Sequence, residues 1–253
     1  MTDVGPIIQI QGLRRSFGKQ IVLNGLNLDI CRGDVLAIIG RSGTGKSVLL
    51  KHIIGLLRPD SGRVLIANED VHGGRRSLAR LRGRIDMLFQ GGALFDSLTV
   101  EENVAFPLHE KTNMSMEEIR AAVAECLKDV GLHDVDDKFP AELSGGMRKR
   151  VALARSLVQK PEIMLFDEPT TGLDPILVQA IHQLIYDTQK QFGYTAVIVS
   201  HEIPQIFDIA TRVAMLHNGV ILEVAPPEQF QHSTNPVIQQ FIAGRLEGPL
   251  QPT

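Results

Sequence analysis

The chain has 253 residues, 43% hydrophobic and 22% charged, a balance that fits one large folded domain or a core carrying an inserted subdomain. Its net charge of −3 excludes the basic excess that non-specific DNA or RNA binding needs, so no nucleic acid is expected as a partner. No run approaches the roughly 18 to 20 apolar residues of a membrane span, and the opening MTDVGPIIQI lacks the charged flank and apolar core of a signal peptide.

If a membrane is involved, another chain is expected to cross it. The two cysteines, Cys31 and Cys126, are too few for a disulfide framework and read as reduced thiols of a cytosolic protein. In chain order, residues 7–10 and 26–30 read as early strands, and residues 35–39 form the continuous apolar run of a strand buried on both faces. That run leads into a glycine-rich loop at 40–47 and then into residues 48–57, apolar enough for a buried helix. Residues 64–67 and 85–89 are further strand candidates.

From about residue 91 to residue 158 the pattern turns helical, as an inserted subdomain would. Ser115 with Glu118 forms a capping box, and Ile119, Val123, Cys126, Leu127 and Val130 then recur at helical spacing up to residue 131. Ser144, a favoured N-cap, opens a second helix that runs to about residue 158. Strand-like runs return at 163–166 and 195–199. Asn218-Gly219, set between apolar runs within 213–224, is a hairpin signal. The tail from residue 244 to residue 253 is rich in Gly and Pro and reads as partly loose. Alternating strands and helices make the expected class α/β.

Gly40, Arg41, Ser42, Gly43, Thr44, Gly45, Lys46 and Ser47 fit G-x-x-x-x-G-K-S. Glycines let backbone N–H groups fold around phosphates without a Cβ in the way. Lys46 is placed to reach the β- and γ-phosphates, and Ser47 to offer its hydroxyl to Mg²⁺. The helix that follows, opening with Val48, aims its positive end at the anion. The expected ligands are ATP and Mg²⁺. A second acidic site closes the apolar run 163–168, IMLFDE. Adjacent strand residues point in opposite directions, so Asp167 and Glu168 are expected to do different jobs. One carboxylate would serve the Mg²⁺ shell, and the other would orient or deprotonate the attacking water.

Residues 143–147, LSGGM, narrow the reading. They resemble the signature sequence of ABC-type ATPases, usually LSGGQ. Met147 departs from it, while Ser144, Gly145 and Gly146 are kept. A helix N-terminus with a hydroxyl and bare glycine amides suits a γ-phosphate. Other elements of the family follow in order. Phe17 stands where an aromatic, more often Tyr, stacks on adenine. Gln90 matches the Q-loop, residues 171–174 ending in Asp174 match the D-loop, and His201 matches the switch histidine. The other seven histidines show no metal-ligand spacing.

The resemblance covers nearly the whole chain. It implies a nucleotide-binding domain over 1–244 and a tail over 245–253. The implied fold is a P-loop NTPase, RecA-like core with an early antiparallel β subdomain and an inserted helical subdomain at about 91–158. It also implies that two copies pair head to tail, each ATP lying between one copy's residues 40–47 and the other's Ser144, Gly145 and Gly146. Glu168 would be the base for water, Asp167 and Gln90 would serve Mg²⁺, and His201 and Lys46 would stabilise the γ-phosphate.

Residues 87–108, MLFQGGALFDSLTVEENVAFPL, together with DEPTTGLDP and FIAGRLEGP, resemble the ATPase of Mla-type phospholipid transport systems. That resemblance implies a multi-span permease, an MCE lipid-binding protein and, in some members, a small STAS-domain protein. It places the chain peripherally on the cytoplasmic face of the inner membrane. Ala93, Leu94, Phe95 and Leu98 lie in the region that meets the permease in the family. The alternative, that these four pack the subdomain core, stays open. Rival readings are the ATPase of another ABC importer or exporter, a non-transport ABC ATPase acting on DNA or ribosomes, and a regulator without turnover. No room for long coiled coils, a single P-loop, and the presence of Glu168 and His201 argue against the last two.

Overall fold

The computed structural model describes residues 5–251, and all their side chains except those of residues 75 and 76. The chain forms two compact units, Met1–Leu81 with Ala196–Thr253, and Arg82–Thr195.

The first unit opens with β1 (Pro6–Phe17) and β2 (Gln20–Cys31), an antiparallel hairpin that closes at Phe17 opposite Gln20. Both strands are longer than the apolar runs at 7–10 and 26–30. Polar residues such as Arg14, Arg15 and Asn24 continue the ladder across several register shifts, where alternation is lost. Next come β3 (Val35–Ile39), all five residues buried, and α1 (Lys46–Ile53), which ends four residues before the expected helix and begins inside the glycine loop. β4 (Ser61–Ile66) and β5 (Glu69–Asp70) turn at Ala67 and Asn68, whose φ values of 48° and 64° suit a type I′ hairpin. These strands form one sheet in the order β2-β1-β4-β5. A short helix, α2 (Arg75–Arg82), follows.

In the second unit, β6 (Ile85–Leu88) lies parallel to a later strand, and helices fill the interval. α3 (Val100–Lys111) and α4 (Met116–Asp129) each begin at a capping box, Thr99 with Glu102 and Ser115 with Glu118. α3 carries Pro107 in its interior, which is why its helical pattern is weak in sequence. A 3₁₀ turn, Pro140–Glu142, leads to Ser144, the N-cap of α5 (Gly145–Leu157). β7 (Ile163–Asp167) is buried throughout and pairs with β6, Ile85 opposite Ile163 and Leu88 opposite Phe166. At the amino ends of this pair, Arg84 grips Glu162 through two bonds of 2.7 and 3.0 Å. α6 (Pro175–Phe192) completes the unit, with Asp174 as N-cap and Gly193 in the left-handed conformation at its end. The α/β class expected from the sequence holds.

The chain then returns to the first unit with β8 (Thr195–Val199), β9 (Arg212–His217) and β10 (Val220–Ala225). There β3 lies parallel to both β8 and β9, in the order β10-β9-β3-β8. The β9–β10 turn is Asn218-Gly219, with φ of 48° and 77°, as expected. α7 (Pro227–Gln231) and α8 (Pro236–Ala243) follow. The expectation of a loose tail is corrected as far as residue 250, while residues 252 and 253 lie outside the described residues. Buried Gln240 donates to the carbonyls of Arg245, Leu246 and Leu250 and accepts from the Leu250 amide at 2.7 Å. One glutamine therefore does for this segment what a strand partner would do.

Two imidazoles in the first unit give the fold a pH dependence. His52, on α1, is fully buried with Nδ1 2.7 Å from the Val48 carbonyl. Burial holds its pKa below the ordinary 6.5, and burial does the same at His72. A folded pKa below the unfolded one gives stability that is present above about pH 6.5 and is lost as the pH falls through the folded value. The urea midpoint is therefore expected to drop between about pH 7.5 and about pH 5.5. His52→Gln should flatten that slope; an unchanged slope in the variant would remove His52 as its source.

Candidate nucleotide site and its neighbours

β3 and β8 run parallel in register, Ile38 opposite Val199, and the Ser200 amide donates to the Ile38 carbonyl at 3.3 Å. The loop at 40–47 and His201 therefore emerge side by side from the carboxyl ends of two neighbouring strands. Such an edge is where open parallel sheets take ligands. The loop turns at Gly40, with φ 151°, where an added Cβ would stand 2.4 Å from the Leu216 carbonyl oxygen. At Gly45, with φ 99°, it would stand 2.6 Å from Val22 Cγ1. Neither position admits a side chain. Lys46, 5% exposed, folds back into the loop and donates to the carbonyls of Gly40 at 2.8 Å and Arg41 at 2.9 Å. The Thr44 hydroxyl donates to the same Arg41 oxygen at 2.8 Å. Gly45 precedes α1 with no side-chain cap, and the helix has no acid in its own first turn.

A cavity of about 360 Å³ lies against the loop, lined by Arg41, Ser42, Gly43 and Thr44 and by His217 to one side. Ser47 and Val48 are half-buried on the first turn of α1. Phe17 is 45% exposed at the end of β1, and the Arg15 guanidinium sits 4.8 Å above its ring. His201 is half-exposed, its Nε2 3.7 Å from Glu202 Oε1.

The second unit repeats the arrangement of strand ends. Gln90 follows β6, and Asp167 and Glu168 close β7. Gln90 Nε2 donates to Glu168 Oε2 at 3.4 Å, and the Thr171 hydroxyl donates to the same oxygen at 3.0 Å. Strand alternation does not set the two acids apart, contrary to expectation. β7 ends at Asp167, and Glu168 adopts φ 49°, outside the strand. The two carboxylates are separated by a left-handed backbone turn, not by strand alternation. Asp167 is buried and Glu168 is half-buried.

Ser144 caps α5, its Oγ accepting from the Met147 amide at 3.3 Å, and Gly145 and Gly146 form the first turn. Asp174, expected at a nucleotide, caps α6: its Oδ1 accepts from the amides of Ile176 at 3.0 Å and Leu177 at 3.1 Å. Sequence reasoning missed the cations of α5. Arg148 donates to the Leu143 carbonyl at 2.6 Å and Arg150 to that of Val130 at 2.7 Å. Lys149 donates to the Gln90 carbonyl, and Arg155 donates to those of Gly92 and Ala93 at 2.9 and 2.7 Å. The signal was available: basic residues crowded into the first turns of a helix oppose its dipole and need another reason to be there.

Beyond Gln90, the loop is wired to α3 by buried Asn103, which accepts from the Phe95 amide and donates to the carbonyls of Phe95, Leu98 and Thr99. The side chains face outward. Ala93 is exposed, Leu94 and Leu98 are half-buried, and Phe95 is 43% exposed with its ring 4.8 Å from that of Phe106. Core packing therefore does not account for Phe95. Beside these rings lies a cavity of about 270 Å³, also lined by Pro107 and Asp86, whose carboxyl burial pushes above the usual range.

A glycine loop at the carboxyl edge of parallel strands, with a buried lysine folded into it, defines a P-loop nucleotide-binding protein. The model of the ABC transporter family matches residues 23–171, and the chain belongs to that family. It is 43% identical over 248 residues to the probable ribonucleotide transport ATP-binding protein mkl of Mycobacterium leprae (strain TN), covering 98% of this chain and 72% of that one. It is 36% identical over 249 residues to the intermembrane phospholipid transport system ATP-binding protein MlaF of Escherichia coli (strain K12), covering 98% and 93%. Its structure resembles the ATP-binding cassette MJ0796, solved as a dimer in a post-hydrolysis state with ADP and Pi (TM-score 0.78, 34% identity, 87% and 98% coverage). Among the described residues, no helix is long and apolar enough to cross a membrane.

Gly40→Ala tests the cradle. The clash and the backbone strain should weaken ATP binding about tenfold or more while the fold survives. Titration with a fluorescent ATP analogue measures this, and wild-type affinity would show that the loop does not set it.

Proposed function

We propose that this chain is the ATP-hydrolysing subunit of a membrane transporter that moves phospholipid between two membranes. The observation that carries the ATPase part is the cradle at 40–47. Gly40 and Gly45 leave no space for a Cβ, and Lys46 is held inside by two carbonyls. Such a loop suits phosphate oxygens, which take backbone amides and an ammonium as donors where no Cβ intrudes. Arg41, Ser42, Gly43, Thr44 and Val48 complete the phosphate contacts, and Phe17 would stack on adenine. Ser47, Gln90 and Asp167 would hold Mg²⁺, which spreads the charge of the β- and γ-phosphates.

The catalytic roles follow the chemistry. Glu168 is the base for water, held by Gln90 and Thr171. His201 and Lys46 stabilise charge on the γ-phosphate. The nucleotide-binding domain spans 1–244, with a helical insert at about 91–158 and a tail over 245–253. Two copies pair so that Ser144, Gly145 and Gly146 of one, with Asp174, complete the site of the other; the dimer solved for MJ0796 supports this.

The phospholipid part rests on likeness to MlaF across nearly the whole chain. In this reading the partners are a multi-span permease, an MCE lipid-binding protein and, as in some members, a small STAS-domain protein, and the chain sits on the cytoplasmic face of the inner membrane. The permease meets Ala93, Leu94, Phe95 and Leu98, which the exposure of Phe95 favours. A second reading, transport of a ribonucleotide, is favoured by the printed name of the mycobacterial relative. Reconstitution of the copurified complex in vesicles, with labelled phospholipid in one arm and a labelled ribonucleotide in the other, separates the two.

Glu168→Gln should keep ATP affinity and reduce turnover by about 10²-fold or more, the scale of a lost general base; wild-type turnover would remove Glu168 from that role. Phe95→Asp should retain basal ATPase of the chain and abolish lipid transfer by the complex. A folded variant that still moves lipid would exclude Phe95 from the coupling contact.

A further inference from the structure

Lys149, Ala152 and Arg155 recur every three residues along α5 and face one strip of main chain. The Lys149 ammonium donates to the Gln90 carbonyl. Arg155 donates to the carbonyls of Gly92 and Ala93. Between them the helix and the strip nearly touch, since a Cβ added at Gly92 would lie 3.3 Å from that of Ala152. The same helix begins at Ser144. On the other side of the strip, the Gln90 amide donates to Glu168 Oε2, which also receives the Thr171 hydroxyl. A continuous set of contacts thus runs from the head of α5, through Lys149 and the backbone of Gln90, to the Glu168 carboxylate.

The anchor is well chosen physically. A carbonyl oxygen fixes the main chain of Gln90 but leaves its side chain free to rotate towards Glu168. Lys149 is half-buried, and that burial lowers the pKa of its ammonium. Removing such a donor leaves an acceptor short of a partner and releases the segment it held.

We propose that Lys149 is a positioning residue for hydrolysis, its ammonium fixing the Gln90 main chain so that the Gln90 amide is held on Glu168. The inference rests on the roles given above to Gln90 and Glu168. It predicts an effect on turnover separate from nucleotide affinity, because Lys149 donates to the main chain of Gln90 and lies outside the loop at 40–47.

The test uses the full chain copurified with its membrane partners and compares Lys149→Met, Lys149→Arg and Glu168→Gln. Lys149→Met is expected to lower kcat about tenfold, with KM and the affinity for ATP within about twofold. Amide hydrogen exchange at residues 90–95 should become faster. Lys149→Arg, which keeps a cationic donor, should recover most of the turnover. Stalled turnover in Glu168→Gln beside unchanged turnover in Lys149→Met would overturn the inference and leave the reading of Glu168 intact. A loss of ATP affinity as large as the loss of kcat would also overturn it, as would failure of Lys149→Arg to recover turnover. Wild-type turnover in Glu168→Gln would sink both.

Discussion

A parallel strand buried on both faces can present chemistry only at its ends. In β3, β7 and β8 every residue is buried, so no position along these strands is available to a polar ligand. The register of the pairs then fixes which residues appear together at the edge. β3 beside β8 brings the glycine loop and His201 to one edge, and β6 beside β7 brings Gln90 and Glu168 to one edge. Neither grouping depends on the identity of the loop residues themselves. Pairing that slipped by one residue would bury polar groups and separate each set at once.

The buried lysine shows the electrostatic side of the same constraint. An ammonium only 5% exposed would cost several kcal/mol if left unpaired. The carbonyls of Gly40 and Arg41 offset that cost with charge-assisted bonds of 2.8 and 2.9 Å. Those carbonyls are free to converge on Lys46 because Gly40 and Gly45 adopt backbone conformations closed to side chains. The glycines therefore serve the lysine as well as any phosphate: they shape a loop whose carbonyls help to hold a cation in place.

Much of this was legible in the sequence where a single local rule dominates. The apolar run of β3, the capping box at Ser115 and Glu118, the N-cap Ser144 and the Asn218-Gly219 hairpin all read correctly, because each is decided within a few residues. Legibility failed where distant contacts decide. β1 and β2 extend through Arg14, Arg15 and Asn24 because they pair with each other, not because they alternate. α3 falls in the stretch expected to be helical, but its bounds were not legible, since Pro107 interrupts its pattern. Glu168 was misplaced because strand parity was extended one residue past the end of the strand, into a turn whose φ no propensity foretells. Asp174 also caps its own helix, a role the sequence reading did not assign to it. The tail looked loose because its composition hides the glutamine on α8 that holds it.

The head of α5 carries this last point furthest. Each cation in the first turns of a helix is disfavoured by about 0.3–1 kcal/mol. A hydrogen bond from a charged donor is worth about 1.5–3 kcal/mol. Arg148, Lys149 and Arg150 accept the first cost and gain the second by donating to the carbonyls of Leu143, Gln90 and Val130, which belong to three different loops. The balance favours the cations only while those loops stay where they are. The position of Ser144 is therefore tied to the loops that its helix holds, and the loops to the helix. A displacement at either end must break charge-assisted bonds or carry the other end with it.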